Sequence, residues 1–454
     1  MKKIFAILVI IVGVNLLQAE RIDLEEALDL AISHNATLAA QAQSLEAARW
    51  SKYNAFSNFL PKLDFNSQIV RIDSDSYQAA NQTFQIPVLD GSSHLPTGDY
   101  IPFSAGLSGN IYETSFQNNL VVTQPIFNGG KLWLGYQLSK LQQQLAELEF
   151  QHAKNELRQQ VAAAHFAYLK LEEYQQVQAL NLAALAAHLQ TAEDKYAAGM
   201  VLENEVLRWQ LELSQAQIEL QDLQNQSEIA RDNWLNITGA EAENLPQTID
   251  LESEKPWQEL LKAEQADFVD NHLQEVKQAN PLLQIVKISA KLAAKQHDFS
   301  KSEFLPSLNL QYNYQIENDD KFDLQGDESW SLAALISIPL WTSGSNYSNY
   351  RSSQAQYLEN SQRLQQQKKD LFLAAKNSSM QHYSLAQKVK KNQQNLDLVL
   401  KNYNLISDLY EQGMISGAEL KDAETMLRAG EMELIGASYD FIISQYEIKK
   451  WSNR

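Results

Sequence analysis

The chain has 454 residues, with 37 Lys and Arg against 56 Asp and Glu, and a formal net charge of −19. So acidic a composition excludes binding to nucleic acid through general electrostatic attraction, and it serves either solubility or the attraction of cations. The chain contains no Cys, which excludes disulfides, zinc–thiolate sites and cysteine catalysis.

The first part of the chain, residues 1–19, predicts a signal peptide. Lys2 and Lys3 form a positive start, Ile4–Leu17 is an apolar run, and a plausible cleavage site follows Ala19. The alternative, an anchor helix, is disfavoured because the apolar run is short for a bilayer. Since no other segment approaches a membrane-spanning helix in length, any membrane that the exported chain enters has to be crossed by strands.

An internal repeat organises the rest of the chain. Two segments return, the first at an offset of 214 residues and the second at 245: Tyr196–Met200 as Tyr410–Met414, and Phe59–Leu63 as Phe304–Leu308. Two offsets held over long stretches indicate one duplication and one insertion between Leu63 and Pro125. We therefore predict two structural repeats, residues 20–245 and 246–454, each with a helix, two strands and a long helical hairpin. The second repeat begins with an additional equatorial segment.

Two tracts without proline, Ile126–Leu245 and Leu340–Arg454, predict very long helices. Within them Leu, Ala and aromatic residues recur at alternating steps of three and four, the pattern of a coiled-coil seam. A helix over Lys131–Ala197 would be roughly 100 Å long. Gly199 and Gly413 indicate where each long helix ends and the chain turns back, so each repeat should contain an antiparallel helical hairpin.

Four short segments alternate between apolar and polar residues, as strands with two different faces do: Leu63–Ile69, Gln117–Gln124, Leu308–Ile316 and Trp330–Ile338. This alternation is typical of outer-membrane barrels. A half-buried soluble sheet is less favoured, because the polar faces are rich in Asn and Gln. Four strands cannot close a barrel, and an open sheet in lipid leaves unpaired edges. Three copies would supply twelve strands, so we expect a homotrimer.

With these hairpins, strands and Gly–Met turns, the chain resembles the TolC family of outer-membrane efflux proteins. The resemblance rests on the doubled strand starts and turns quoted above, and on Asn280–Leu282 and Pro125–Gly130 in the expected order. It implies a fold that is mainly α with a small β part. Long antiparallel α-helical hairpins would form an α-barrel, and four strands per protomer would contribute to a trimeric twelve-stranded outer-membrane β-barrel.

The resemblance also implies a function, that of a passive exit duct in a tripartite efflux pump. The expected partners are a periplasmic adaptor protein, an inner-membrane transporter and outer-membrane lipid. The expected location is the outer membrane of a Gram-negative bacterium, with the helices extending into the periplasm. Two alternatives stay open: the outlet of a type I protein secretion system, and a periplasmic structural coiled-coil protein without a channel.

Adaptor docking is implied for the two hairpin turns. Each turn presents a Met after its Gly, and the alternative is that the glycines are simple helix caps. The matching residues are Ala198, Gly199, Met200, Gln412, Gly413 and Met414.

The resemblance further implies a periplasmic gate near the turns. Glu419 and Asp422 share one helix face because three positions separate them, and three copies would bring six carboxylates together, which attracts cations. Tyr410 matches the tyrosine that bonds to a neighbouring hairpin, and Glu205 matches its carboxylate partner. The family's locking Arg is missing from its usual position, and Arg208 is a candidate to pair with an acid at the turn. The alternatives are a solvated face for the acids and a place in the heptad seam for Tyr410.

No catalytic chemistry is predicted. The eight His residues are scattered without the i, i+4 spacing of a helical metal site, and neither a phosphate-binding Gly loop nor a nucleophile elbow occurs. We therefore expect no enzyme, no cofactor and no metal.

Overall fold

The computed structural model describes residues 21–80, 83–104, 113–248, 255–318 and 321–452. The predicted signal peptide, residues 1–19, lies outside the described residues. The elements follow in chain order: β1 Arg21–Ile22, α1 Leu24–His34, α2 Ala36–Ser57, β2 Lys62–Arg71, α3 Ser74–Ala80, β3 Thr83–Leu89, β4 Pro96–Ser104, β5 Thr114–Asn128, α4 Lys131–Ala197, α5 Glu203–Thr238, β6 Leu245–Pro246, α6 Pro256–Leu260, α7 Gln265–Ala279, α8 Pro281–Lys301, a 3₁₀ turn Ser302–Phe304, β7 Ser307–Asn318, β8 Asp327–Ser337, α9 Ser345–Glu411 and α10 Gly417–Ser452.

The long helices form two hairpins, as the proline-free tracts predict. Helices α4 and α9 each have 67 residues, and α5 and α10 each have 36. Corresponding helices begin 214 residues apart, which is the offset of the repeat. The prediction of a mainly helical fold with a small β part is confirmed. None of the described helices is both long enough and apolar enough to cross a lipid bilayer.

The heptad seams place the apolar side chains between the arms of each hairpin. In the first hairpin, Leu185 and Ala192 of α4 pack with Val206, Trp209 and Ala216 of α5. The Trp209 side chain is fully buried. Burial of such side chains stabilises a hairpin whose individual helices would be marginal in water, because helix propensity alone contributes little.

The shorter helices repeat one capping arrangement. The Asn35 side chain accepts a hydrogen bond from the Leu38 backbone N–H at 2.9 Å, and the Asn280 side chain accepts one from Leu283 at 3.0 Å. Each Asn thus satisfies a free N–H at the start of the following helix. The two residues lie 245 positions apart, so the arrangement recurs at the offset of the upstream repeat.

The main sheet is antiparallel, with the strand order β2-β5-β7-β8. Its register places Leu63, Val122, Tyr312 and Leu332 in one row across all four strands. The predicted alternation therefore produces one continuous apolar face and one face rich in Asn, Gln and Ser. The apolar side chains are exposed in the single chain: Leu63 65%, Phe65 55%, Trp330 69% and Leu332 60%. Both outer strands, β2 and β8, leave one edge unpaired within the described sheet.

The insertion between β2 and β5 contains structure that the sequence did not predict. Helix α3 is followed by an antiparallel hairpin of β3 and β4, in which Phe84 pairs with Phe103 and Ile86 with Ile101. Three prolines lie in these strands, and proline argues against a strand in sequence-based prediction. Each strand of a two-stranded ribbon has a free edge, so proline is tolerated there.

The chain divides into two compact units. Among the described residues, the helical unit lies within 21–47, 143–290 and 361–452, and the strand unit lies within 48–142 and 291–360. Each predicted repeat contributes to both units, so units and repeats divide the chain differently. The repeat boundaries stay a prediction.

Candidate docking and gating residues at the hairpin turns

The first hairpin turn, residues 198–200, is a Schellman motif. Gly199 has a φ of +70°, a conformation that residues with a Cβ rarely adopt. Its N–H donates to the Tyr196 carbonyl at 2.9 Å, and the Met200 N–H donates to the Lys195 carbonyl at 2.8 Å. These two bonds satisfy carbonyls that would otherwise be free at the end of α4.

The second hairpin turn, residues 412–414, repeats this geometry. Gly413 has a φ of +72°, its N–H donates to the Tyr410 carbonyl at 3.0 Å, and the Met414 N–H donates to the Leu409 carbonyl at 3.0 Å. The predicted interpretation of the glycines as helix caps therefore describes both turns.

Both turns also present apolar side chains to solvent. Met200 is 76% exposed and Met414 is 68% exposed, and Ala198 and Gln412 are exposed as well. A Cβ added at Gly199 or Gly413 would meet nothing within 4 Å. The glycines are required by the backbone conformation rather than by packing, so the space around each turn is open to a binding partner.

The two return helices begin differently. Helix α5 follows Leu202, whose side chain makes no capping hydrogen bond. Helix α10 begins with one half of a capping box, in which the Glu419 carboxylate accepts from the Ser416 N–H at 2.9 Å and from the Ser416 hydroxyl at 3.2 Å. Glu419 thus has a structural role within the protomer, while Asp422, one turn further on, is exposed.

Glu205 lies against the start of α10. A Cβ added at Gly417 would come within 2.3 Å of a Glu205 carboxylate oxygen and 3.4 Å of the Trp209 ring. A carboxylate in this position is stabilised by the positive end of the helix dipole. The structure therefore places a first-hairpin acid directly beside the second hairpin.

Tyr410 contacts the end of α4 rather than α5. The Lys195 ammonium lies 4.9 Å from the centre of the Tyr410 ring, and the His188 ring meets it edge-on at 6.4 Å. Among the described residues, Tyr410 and Glu205 share no hydrogen bond, so their predicted pairing is not made within one protomer. Arg208 is exposed and forms no salt bridge within the described part of the chain.

A charged seam between α5 and α10 was missed by the sequence analysis. Lys421 forms a salt bridge with Glu212, and Arg428 forms one with Glu219 at 2.9 Å. Both partners advance by seven residues, so the two helices run in the same direction, one heptad per bridge. The matching seven-residue spacing of acids on α5 and bases on α10 was a sequence signal for these salt bridges. The sequence alone does not show that the two helices are neighbours, so the bridges could not be assigned from it.

Further polar contacts extend the seam to α4. The His188 imidazole lies 2.7 Å from a Glu424 carboxylate oxygen and packs on the Trp209 ring. Gln178, which is fully buried, accepts from Arg428 at 3.1 Å and donates to the Ala216 carbonyl at 2.9 Å. The two hairpins of one protomer are therefore held together by charged and polar bonds as well as by apolar packing.

Beside these salt bridges, the environment of Tyr403 favours the neutral form of its hydroxyl. Burial, with a smaller contribution from the Glu424 carboxylate, raises the pKa of the Tyr403 hydroxyl. Among the described residues, no cluster of His, Asp and Glu has the arrangement of a metal site.

The chain thus contains long helical hairpins and a small amphipathic sheet. The sequence profile described as "Outer membrane efflux protein" matches residues 27–240 and 272–454. The chain belongs to the outer membrane efflux protein family. No curated protein sequence matches it.

Solved structures of outer-membrane channels share the fold. The Campylobacter jejuni CmeC outer membrane channel is 15% identical, with a TM-score of 0.76 over 95% of this chain and 85% of that one. The outer membrane protein VceC of Vibrio cholerae is 14% identical, with a TM-score of 0.74 over 95% and 96%. The Neisseria gonorrhoeae MtrE outer membrane channel is 17% identical, with a TM-score of 0.70 over 95% and 88%. At these identities the likeness is one of fold.

Family membership confirms three predictions. The resemblance to the efflux family is correct, the protein is located in the outer membrane, and it belongs to a family of channels rather than enzymes. The same membership removes the alternative of a periplasmic coiled-coil protein without a channel.

Proposed function

We propose that three copies of this chain form the passive exit duct of a tripartite efflux pump. The observation that carries the proposal is the four-stranded sheet, which has an exposed apolar face and two unpaired edges. In lipid, each unpaired backbone group costs several kcal/mol. Pairing β2 of one copy with β8 of the next satisfies both edges, and three copies give twelve strands.

Engineered disulfides test this pairing directly, because the chain has no Cys of its own. Asn66→Cys on β2 would be combined in turn with Ser329→Cys, Ser331→Cys and Ala333→Cys on β8, which share the polar face in the observed register. Within one sheet β2 and β8 are three strand spacings apart, about 14 Å, which is too far for a disulfide. Every disulfide formed therefore joins two copies.

Covalent trimers on a denaturing gel are the expected result for at least one pair, with monomers only in the single-Cys controls. If all three pairs yield only monomers while the protein is folded in the outer membrane, the copies do not pair through these edges.

The hairpin turns are the proposed docking site for a periplasmic adaptor, which in turn engages an inner-membrane transporter. Support comes from the exposed Met200 and Met414 and from the open space around both glycines. Met is enriched in protein–protein interfaces relative to the rest of the protein surface.

An isosteric pair of substitutions separates docking from folding. Gly199→Asp and Gly199→Asn have the same shape, and both residues tolerate positive φ better than others do, so they differ mainly in charge. We expect Gly199→Asp to abolish co-purification of the adaptor and export while trimers stay in the membrane, and Gly199→Asn to retain both. Loss of the trimers themselves, or full export by the Asp variant, contradicts the docking role.

The gate is proposed to lie beside the docking site. Glu419 and Asp422 are exposed on the first turns of α10, where three copies would form a ring of carboxylates that attracts cations. Tyr410, Glu205 and Arg208 are proposed to hold neighbouring hairpins in the closed state. A type I secretion outlet would share this structure, but the description of the matching family as efflux proteins favours efflux.

A further inference from the structure

A cavity in the helical unit lies apart from the turns. It has a volume of about 400 Å³ and is lined by residues of α1, α4 and α10: Glu25, Leu28, Asn155, Arg158, Gln159, Tyr446, Lys449 and Lys450. This volume is within the range of small-molecule sites. Three of the lining side chains are cationic, although the whole chain has a net charge of −19.

The cations of this cavity are not used for ion pairing within the described chain. On the same helix α10, Lys421 and Arg428 form salt bridges with α5, whereas Lys449 and Lys450 form none among the described residues. Lys449 instead lies 4.6 Å from the centre of the Tyr446 ring, which leaves its ammonium beside the cavity. The negative end of the α10 dipole stabilises lysines in a last turn, so these two alone would not define a site.

The third cation, Arg158, is not explained by the dipole at a helix end. It lies in the middle of α4, far from either terminus. The positions one turn before and after it hold no acid: Lys154, Asn155, Val161 and Ala162. Among the described residues Arg158 has no salt bridge, so a partly buried guanidinium with its fork of donors is directed at the cavity without a protein anion.

The lining of the cavity carries more positive than negative charge. The one acid that lines the cavity, Glu25, is exposed on α1 and forms no salt bridge with the three cations in the described chain. Three positive charges therefore face one negative charge across a space large enough for a ligand.

We infer that this cavity binds a small ligand with two or more oxyanion groups, carboxylates or phosphates. Arg158 would bind one group through its paired donors, as guanidinium groups do with planar or tetrahedral oxyanions. Lys449 and Lys450 would bind a second group, and the amide of Gln159, which also lines the cavity, would donate a further hydrogen bond. The site is distinct from the proposed docking turns and from the sheet, because no residue of either lines it.

Direct binding to the purified full-length protein tests the site at about 0.15 M ionic strength, where weak surface attraction is screened. Radiolabelled pyrophosphate and citrate, each of which carries more than one oxyanion group, would be used separately, so that the two arms distinguish phosphate from carboxylate recognition. Saturable binding of at least one probe, with one equivalent per chain, is expected.

Substitutions then assign the binding to the cavity. Arg158→Gln should weaken binding about tenfold or more, as loss of a charged contact does, and Arg158→Lys should restore part of it. Lys154→Gln is the matched control, since it removes one positive charge from the same helix one turn away and does not line the cavity. Its effect should stay below about twofold.

Two outcomes would overturn the inference: the absence of saturable binding of either probe, and equal losses of binding from Arg158→Gln and Lys154→Gln. If neither probe binds and Arg158→Gln dissociates the oligomer, an acidic segment of a second copy occupies the cavity instead.

Discussion

Acidification should destabilise the helical unit through two buried histidines. Burial lowers the pKa of His165 to about 4 from 6.5, and burial with the neighbouring His272 lowers that of His382 to about 4 as well. The folded chain therefore holds both rings neutral, while the unfolded chain protonates them. The stability that this contributes is complete above pH 6.5, falls as the pH decreases, and is lost at about pH 4.

The magnitude follows from linkage. Between about pH 7.5 and pH 5, each histidine should lower the free energy of unfolding by about 2 kcal/mol, and the two together by about 4 kcal/mol. The structure shows why the rings stay neutral. His165 is 1% exposed and packs edge-on against Trp234 at 6.1 Å, and His382 bonds to the Ser444 hydroxyl at 2.7 Å and stacks on Phe441.

Denaturant unfolding of the purified protein at a series of pH values measures this slope. His165→Gln and His382→Gln should each flatten the dependence between pH 7.5 and pH 5 by about 2 kcal/mol, whatever they do to stability at neutral pH. His94→Asn is the control, because His94 is exposed with a φ of 54°, which Asn tolerates, and its slope should match the unmodified protein. An unchanged slope in both Gln variants would refute the argument.

Three further variants test other parts of the structure. Glu419→Gln with Asp422→Asn should reduce cation preference and divalent block in single-channel recordings, and unchanged values would reject the carboxylate ring. Gly326→Ala should destabilise the β7–β8 turn by about 1–3 kcal/mol, because its Cβ would lie 2.3 Å from the Glu317 carbonyl oxygen. The heat resistance of the oligomer should therefore fall. Gly91→Ala is the control and should leave the heat resistance unchanged, because its Cβ would meet nothing within 4 Å. Arg428→Gln should lower the denaturant midpoint by the equivalent of about 1–2 kcal/mol, since it breaks a charged bond and leaves a buried amide oxygen unpaired; an equal midpoint would show that the seam adds no stability.

The periodicity of apolar residues predicted the helices and strands, because in these elements the residue type at each position follows the burial of that position. The heptad steps and the turn glycines located both hairpins, including the end of α4 at Ala197 and the positive φ of Gly199. The alternation of strand residues predicted the apolar face that the register of Leu63, Val122 and Tyr312 confirms.

What the sequence could not predict depends on contacts between distant segments. The ribbon of β3 and β4 was missed because its prolines are compatible with strands only when each strand has a free edge. The bridge between Lys421 and Glu212 was missed because charge spacing on one helix does not identify the helix beside it. The Glu419 carboxylate was predicted from resemblance as a gate residue; its contact with Ser416 is local, and the Ser-x-x-Glu spacing was a usable signal that was missed.

Helices α5 and α10 differ in the hydrogen bonds at their N-termini, and this difference affects how readily the first turn of each helix unfolds. The first turn of α10 is stabilised by the bonds between the Glu419 carboxylate and Ser416, whereas α5 begins after Leu202, whose side chain makes no capping hydrogen bond. A cap contributes about 1 kcal/mol, so the first turn of α5 should fray about five times more often than that of α10. Amide hydrogen exchange should therefore be faster at Glu205 than at Glu419, and thermal fluctuation near the turns would start in the first hairpin of each protomer.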